Sequence, residues 1–193
     1  MKQLFTIDLH RDFHLVRFLQ IMSLALIIPS GYLLYLPVST SYRSPFALLF
    51  TPTGLSPRVL DLFIIALTIV CVMTIHELLH ALFFLILGPK GTRITFGIRH
   101  GFAYAASPNT LIPKNPYLII GLSPFVIITL VYLFISPSLP ESWASSAYIA
   151  AVLNAAGSSG DFYITYRIFP CPKGTLIKDR GMGFTAYLPT QAH

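Results

Sequence analysis

This sequence carries very little charge. Only 10% of its 193 residues are charged while 54% are hydrophobic, and soluble domains carry about 25% charged residues. A water-soluble fold of this length would lack the polar residues needed to cover its surface. The composition therefore excludes an ordinary soluble domain, and the length allows one domain. We predict a single integral-membrane domain over residues 1–193, with the lipid bilayer as its surroundings.

Two further classes of protein are excluded by what is missing. The chain has two cysteines, Cys71 in an apolar stretch and Cys171 in a basic one, which is too few for a disulfide framework and gives no C-x-x-C metal site. The formal net charge is +6, but the basic residues are scattered in ones and twos, without the aromatic-interleaved patch that binds nucleic acid. We expect reduced thiols and no nucleic-acid partner.

Long apolar runs, by contrast, are abundant. A membrane-spanning helix needs about 20 apolar residues, and four stretches qualify: residues 18–36, 59–87, 117–136 and 143–169. No small-x-small cleavage site closes the first run, so we interpret it as a retained anchor rather than a signal peptide. The fourth is the least regular, because Gly157 and Gly160 bracket two serines and favour a break. The predicted fold class is an all-α membrane protein with about four transmembrane helices.

The positions of Lys and Arg predict how these spans are oriented. Eleven of the thirteen basic residues lie before the first span, between the second and third, or around the end of the fourth, and only Arg43 and Arg58 lie elsewhere. Short loops rich in Lys and Arg stay in the cytoplasm. We therefore predict a multi-pass protein of a prokaryotic cell membrane, with both termini and the middle loop in the cytoplasm.

The middle loop has a pattern of its own, TRITFGIRHGFAYA, at residues 92–105. Apolar and polar side chains alternate from Arg93 to Arg99, which is the periodicity of a strand. Arg-His-Gly can then turn the chain before the alternation resumes at Phe102. We expect a short cytoplasmic β-hairpin between the second and third spans; an amphipathic loop is the alternative.

The stretch TIHELLHALFF, residues 74–84, places three ionisable side chains inside one of the most apolar runs. Removing such a group from water costs several kcal/mol unless it is paired or bound to a metal. His76 and His80 are four residues apart and share one face of a helix, and Glu77 lies about 100° round from His76. Two imidazoles that bind Zn²⁺, beside a glutamate free to take a proton from water, are what a zinc hydrolase needs. We predict zinc as the cofactor; a chance motif on a buried helix is the alternative.

A catalytic zinc usually takes a third protein ligand and leaves a position for water. Asp61 lies about four helical turns from His76 and is out of reach. Asp161 lies toward the cytoplasmic end of the fourth span, at a depth matching the histidines of the second, so we predict it as the third ligand; capping of a helix after Gly160 is the alternative. Asn154 is a candidate for orienting the substrate carbonyl or stabilising the oxyanion, and an interhelical hydrogen bond explains it about equally well.

HELLH on one apolar helix, followed by NAAGSSGD on a later one, resembles the small membrane proteins grouped as the putative zincin peptidase family. More distantly it resembles the site-2 protease family of intramembrane zinc metalloproteases. The resemblance covers about half of the chain, from the second to the fourth span. It implies two zinc-ligating histidines, a glutamate base, an aspartate ligand and an upstream catalytic asparagine, which correspond to His76, His80, Glu77, Asp161 and Asn154. Unlike most site-2 proteases, this chain has no proline between the asparagine and the aspartate, and its glycine precedes the aspartate.

Other functions fit parts of the sequence. GSSG at 157–160 matches the pattern of rhomboid serine proteases, but their serine needs a histidine base from a later span, and the only later histidine is His193. Some zinc transporters carry H-E-x-x-H, but transport needs polar residues on both sides of the site, and the outer halves of the four spans are almost purely apolar. A purely structural metal site would gain nothing from a buried Glu77.

The sequence therefore favours a membrane-embedded zinc metallopeptidase acting on a membrane-protein or peptide substrate. We expect the substrate to enter as an added strand against the hairpin at 92–105. A non-peptidase membrane metal-binding protein or a metal-ion transporter is the alternative.

Overall fold

Five α-helices and six β-strands follow one another within residues 1–36 and 55–190, the part of the chain that this computed structural model describes. The helices are α1 (Phe13–Tyr35), α2 (Leu55–Leu87), α3 (Lys114–Ile135), α4 (Glu141–Gly157) and α5 (Ser159–Ile168). The strands are β1 (Lys2–Asp8), β2 (Thr95–Arg99), β3 (Phe102–Ala106), β4 (Ile112–Pro113), β5 (Leu176–Asp179) and β6 (Gly183–Leu188). Arg43, which lies between the first and second predicted spans, and His193 are outside the described residues.

Three of the described helical segments are long and apolar enough to cross a bilayer: Phe13–Tyr35, Phe63–Leu87 and Lys114–Ser138. They overlap the first three predicted spans. Large apolar side chains such as Ile28 and Phe134 are exposed on their outer faces, as expected of helices that face lipid rather than water. The described part of the protein is therefore mostly helical, with three helices long and apolar enough to cross a membrane.

The predicted fourth span, residues 143–169, is divided into two helices at the break that Gly157 and Gly160 favour, and its crossing of the membrane stays a prediction. The chain leaves helical geometry at Ser158, which has ψ of 7°, and this separates α4 from α5. The Ser158 hydroxyl donates to the Asn154 carbonyl at 2.9 Å, a local bond of the kind that bends helices. With 17 and 10 residues, neither helix reaches the length of about 20 that a span needs.

Helix α4 lies among the other three long helices, with contacts to α1, α2 and α3. Its buried positions are mostly small, including Ala151, Ala155 and Ala156, and small residues let helix backbones approach closely in a membrane. Near its first turns, the Tyr148 hydroxyl donates to the Gly31 carbonyl of α1 at 2.8 Å. This central position brings Asn154 and the break at Ser158 against the face of α2 that carries the histidines.

A four-stranded antiparallel sheet in the order β1-β6-β5-β4 joins the two ends of the chain. The all-α prediction is therefore corrected to a mostly helical fold with a small sheet. Alternation in a sequence can show a strand, but nothing local shows that Lys2 pairs with Leu188. Fully buried side chains, among them Ile177 and Phe184, pack this sheet against residues of α2, α3 and α5. The sheet thus covers the ends of the helices that carry the candidate site.

The middle loop contains a two-stranded antiparallel hairpin, in which Thr95 pairs with Ala106 and Arg99 with Phe102. Its turn has positive φ at His100 (51°) and Gly101 (80°), the geometry that tight hairpins favour. Gln20 of α1 donates to the His100 carbonyl at 3.2 Å, which ties the turn to α1. The hairpin occupies the predicted stretch, and its location on the cytoplasmic side stays a prediction.

Candidate metal centre

His76, His80 and Asp161 meet in the interior, where α2 packs against the start of α5. His76 Nε2 lies 3.2 Å from Asp161 Oδ2, and His80 Nε2 lies 3.3 Å from Asp161 Oδ1. Both histidines are buried, with exposed fractions of 9% and 8%. Within residues 1–36 and 55–190, these three side chains form the one group whose ligand atoms are close enough to share a metal ion, all lying within 4.8 Å of one another.

The other nitrogen of each imidazole is held by a carbonyl oxygen. His76 Nδ1 lies 2.9 Å from Asn154 Oδ1, and His80 Nδ1 lies 2.9 Å from the Ile120 carbonyl. Because a carbonyl oxygen only accepts hydrogen bonds, each Nδ1 carries a hydrogen, and each imidazole in its neutral form would keep its lone pair on Nε2. Both lone pairs are thereby directed toward Asp161, which is how proteins usually prepare histidines for a metal.

Pro124 in α3 explains why the Ile120 carbonyl is free to accept a hydrogen bond from His80. Proline has no amide hydrogen, so the carbonyl of Ile120, four residues earlier, loses its usual helical donor. That carbonyl accepts from His80 instead, and also from the Ser123 hydroxyl at 2.9 Å. The carbonyl of Pro124 itself accepts from the Asn154 side-chain amide at 3.4 Å. One helix-interior proline thus orients His80 directly and His76 through Asn154.

The donor set and the distances both fit a zinc ion. Two imidazole nitrogens and one carboxylate oxygen are a ligand set of catalytic zinc sites. Ligand atoms about 2.0–2.1 Å from a tetrahedral ion lie roughly 3.3 Å apart, close to the separations of 3.2 and 3.3 Å between the imidazole nitrogens and the carboxylate. Ligation would also replace the hydration that the buried histidines lose.

Glu77 lies beside this group but is not part of it. Its Oε2 is buried and has no hydrogen-bond partner within the described part of the chain, a costly arrangement for a carboxylate. The backbone amide of Ala105 in β3 faces the carboxylate. A buried carboxylate oxygen left without a partner is what a base needs if it is to accept a proton from a water or substrate group.

A cavity of about 110 Å³ connects these residues to the terminal sheet. On its far side the Tyr117 hydroxyl donates to Asp179 Oδ2 at 2.6 Å, and the Gly181 amide donates to Asp179 Oδ1 at 2.7 Å. Burial raises the pKa of the Asp179 carboxyl above its ordinary value, although these two hydrogen bonds oppose the shift. The sequence analysis missed this pair, because the pair depends on packing between α3 and β5.

Of the two roles predicted for Asn154, contact with substrate and an interhelical hydrogen bond, the structure shows contacts of the second kind. Its side chain is buried, with 3% exposed, and its oxygen and nitrogen are bonded to His76 and to the Pro124 carbonyl. These contacts favour positioning of His76 over direct stabilisation of an oxyanion, because the side chain is buried, its oxygen is bonded to His76 and one of its two N–H groups is bonded to the Pro124 carbonyl.

Two substitutions of Asn154 should separate these roles. Asn154→Leu removes the acceptor for His76 and should lower zinc affinity by about 10–100-fold, the usual effect of losing such an outer partner. Asn154→Asp keeps an oxygen acceptor, so its zinc affinity, measured by competition with a chelating dye, should stay near that of the parent. If both variants retain zinc and both lose turnover, the oxyanion role would be correct instead.

The serine-protease alternative finds no support in the described residues. The Ser158 hydroxyl donates to the Asn154 carbonyl, and the Ser159 hydroxyl lies 2.6 Å from that of Ser23 in α1 and donates to the Leu19 carbonyl at 3.3 Å. Both serines thus bind backbone or hydroxyl groups rather than an imidazole. Their contacts hold the α4–α5 break against α1, which is a packing role.

The comparisons with known proteins agree with the motifs. The sequence model of a family described as "Putative zincin peptidase" matches residues 69–176, which is more than half of the 193 residues. The matched segment contains both histidines, Glu77, the hairpin and Asp161. No curated protein and no solved structure matches the chain significantly. The resemblance to the putative zincin peptidase family is therefore confirmed. The more distant resemblance, to site-2 proteases, stays a prediction.

Proposed function

Because the chain belongs to the putative zincin peptidase family, we propose that it is a membrane-embedded zinc metallopeptidase that hydrolyses peptide bonds. One observation carries the proposal: two histidines with Nε2 directed at Asp161 lie beside a glutamate that has an unpartnered buried oxygen. The histidines and the aspartate supply ligands, and the glutamate supplies a base. A structural metal site would need only the ligands.

In this proposal His76, His80 and Asp161 hold the zinc ion. When bound, zinc would act as a Lewis acid, which polarises the scissile carbonyl and lowers the pKa of a bound water molecule. Glu77 Oε2 accepts the proton of the attacking water and then donates it to the leaving amide nitrogen. Asn154 and the Ile120 carbonyl keep the imidazoles in the ligating tautomer throughout, because they bind both Nδ1 hydrogens.

We further propose that the site lies near the cytoplasmic face of the membrane. The support is that the histidines lie in the second half of α2, whose following loop carries Lys90, Arg93 and Arg99, and such loops stay in the cytoplasm. A cysteine introduced at Thr92 should react only with a membrane-permeant maleimide in intact cells. Labelling by an impermeant maleimide would show that this loop, and with it the site, faces the outside of the cell.

Metal analysis of the purified protein tests the core of the proposal. We expect about one zinc per chain, loss of peptide cleavage after removal of zinc with a chelator, and recovery when zinc is returned, because the ligands form a single site. A protein that holds no zinc, and takes none up, would contradict the proposal. The cluster would then be an ion pair between the Asp161 carboxylate and a protonated imidazole.

A further inference from the structure

A second cavity, of about 200 Å³, lies on the other side of His76 and Glu77. It is enclosed by α1, α2, α4 and the start of β3, and we call it the inner cavity. Its walls are mainly apolar and include Ile69, Val72 and Leu153. Val72 precedes His76 by one helical turn, about 6 Å along α2, toward the helix's membrane-buried middle. The α2 residues that line the inner cavity therefore extend from the metal centre toward the middle of that helix.

The size of the inner cavity suits one side chain. An apolar cavity of about 150 Å³ can hold a benzene molecule, whereas sites for drug-sized ligands measure about 300–1,000 Å³. A volume of about 200 Å³ therefore admits one branched aliphatic or phenyl group. His76 and Glu77 line both cavities. A substrate side chain in the inner cavity would therefore belong to a residue next to the scissile bond, which lies beside Glu77.

Gly157 is one of five residues that line both cavities, with His76, Glu77, Phe102 and Ala103, and we call the boundary between the cavities at this glycine the passage. A Cβ atom added at this glycine would meet nothing within 4 Å, so the passage is open because a side chain is missing. Its φ lies outside the left-handed region, and backbone conformation therefore does not require glycine here.

We propose that the inner cavity is the subsite for a large apolar side chain next to the scissile bond, and that Gly157 sets the size it accepts. The proposal rests on the proposed peptidase function and adds its substrate class: segments with Leu-, Met- or Phe-like residues at the cleavage site. Such a substrate segment reaches the inner cavity from within the bilayer. Ile69 and Met73, at the edge of this cavity, are partly exposed there. An apolar pocket of this kind discriminates by roughly 10–200-fold for each methylene.

Alkyl hydroxamic acids test the subsite without a substrate. The hydroxamate binds the metal and the alkyl chain probes the inner cavity, and binding to the cobalt-substituted protein in detergent is read from its visible absorption. We compare acetohydroxamate with hexanohydroxamate in the parent, Gly157→Leu and Leu153→Ala. The affinity ratio of the two ligands within each protein is then compared between proteins, which cancels partitioning of the longer chain into detergent.

In the parent we expect hexanohydroxamate to bind at least about 10-fold more tightly than acetohydroxamate. Gly157→Leu should reduce this ratio at least about 10-fold, because the added side chain fills the passage. Leu153→Ala, which enlarges the cavity one helical turn before Gly157 on the same face of α4, should shift the preference toward longer chains such as octanohydroxamate. A ratio that is the same in all three proteins would overturn the subsite, whereas a parent that binds neither cobalt nor acetohydroxamate would overturn the proposed function itself.

Discussion

Replacing Glu77 by glutamine is expected to lower peptide cleavage by at least ~10²-fold while zinc stays bound. Glutamine keeps the shape and the hydrogen-bonding reach of the side chain but cannot accept the proton of the attacking water. The zinc should stay, because the ligand atoms belong to His76, His80 and Asp161. Cleavage of a fluorogenic peptide library and zinc content, both measured on the same preparation, check the two halves of this prediction.

Glu141→Gln is the matched control, since Glu141 is the only other glutamate in the chain. It is the first residue of α4 and lies 13 residues before Asn154, about 20 Å along the helix. The same chemical change there should leave both cleavage and zinc content unchanged. Parental cleavage by Glu77→Gln would remove Glu77 as the base, and loss of zinc from that variant would make Glu77 a ligand.

The same variant separates the peptidase from the alternative functions. A transporter with Glu77 on the ion path would lose zinc flux into vesicles, although no peptide would be cleaved by the parent. A structural metal site would show altered stability and no catalytic effect. Cleavage by the parent, with selective loss in Glu77→Gln, is the result that the metallopeptidase alone predicts.

The part of the site on α2 could be predicted because helix geometry fixes it. Residues 76, 77 and 80 have set relative directions on any helix, so HELLH specifies two aligned imidazoles and a neighbouring carboxylate. Asp161 needed a second argument, the matching depths of two apolar segments. The structure brings its carboxylate within 3.3 Å of both imidazoles, as that argument expected.

The environment of the site could not be predicted in the same way. The acceptors of the two Nδ1 hydrogens are a carbonyl in α3 and a side chain in α4, and which helix faces meet is decided by packing of all the helices together. A proline inside an apolar helix was a visible signal, because it frees the carbonyl four residues earlier. The sequence could not show that His80 would bind that carbonyl.

The terminal sheet was missed for a different reason. Its strands are short, and β1 pairs with β6 across almost the whole chain. Pairing of this kind is driven by burial of side chains such as Phe184 and Ala186 against the helices, which exists only once the helices have packed. The sheet that closes the cavity beside the metal centre therefore could not be predicted from a sequence whose composition is dominated by apolar helices.

Replacing Asp161 by asparagine is expected to reduce zinc affinity by more than ~10²-fold, beyond the range seen when an outer partner of a ligand is lost. The neutral amide is a poor zinc ligand compared with a carboxylate, and the two histidines alone would hold the ion weakly. Cleavage should fall in parallel and recover only partly at high zinc concentration. A competition titration with a chelating dye measures the affinity.

Asp179→Asn provides the matched control, because both aspartates line the same cavity and the chemical change is identical. The Asp179 carboxylate is occupied by the Tyr117 hydroxyl and the Gly181 amide, so its loss should affect stability by about 1–3 kcal/mol through the unsatisfied donor and leave zinc affinity near the parental value. Equal zinc affinities for Asp161→Asn and the parent would remove Asp161 from the ligand set. The two histidines would then need a third ligand from another part of the chain, and the close approach of the Asp161 carboxylate to both imidazoles would be an ion pair that holds α5 against α2.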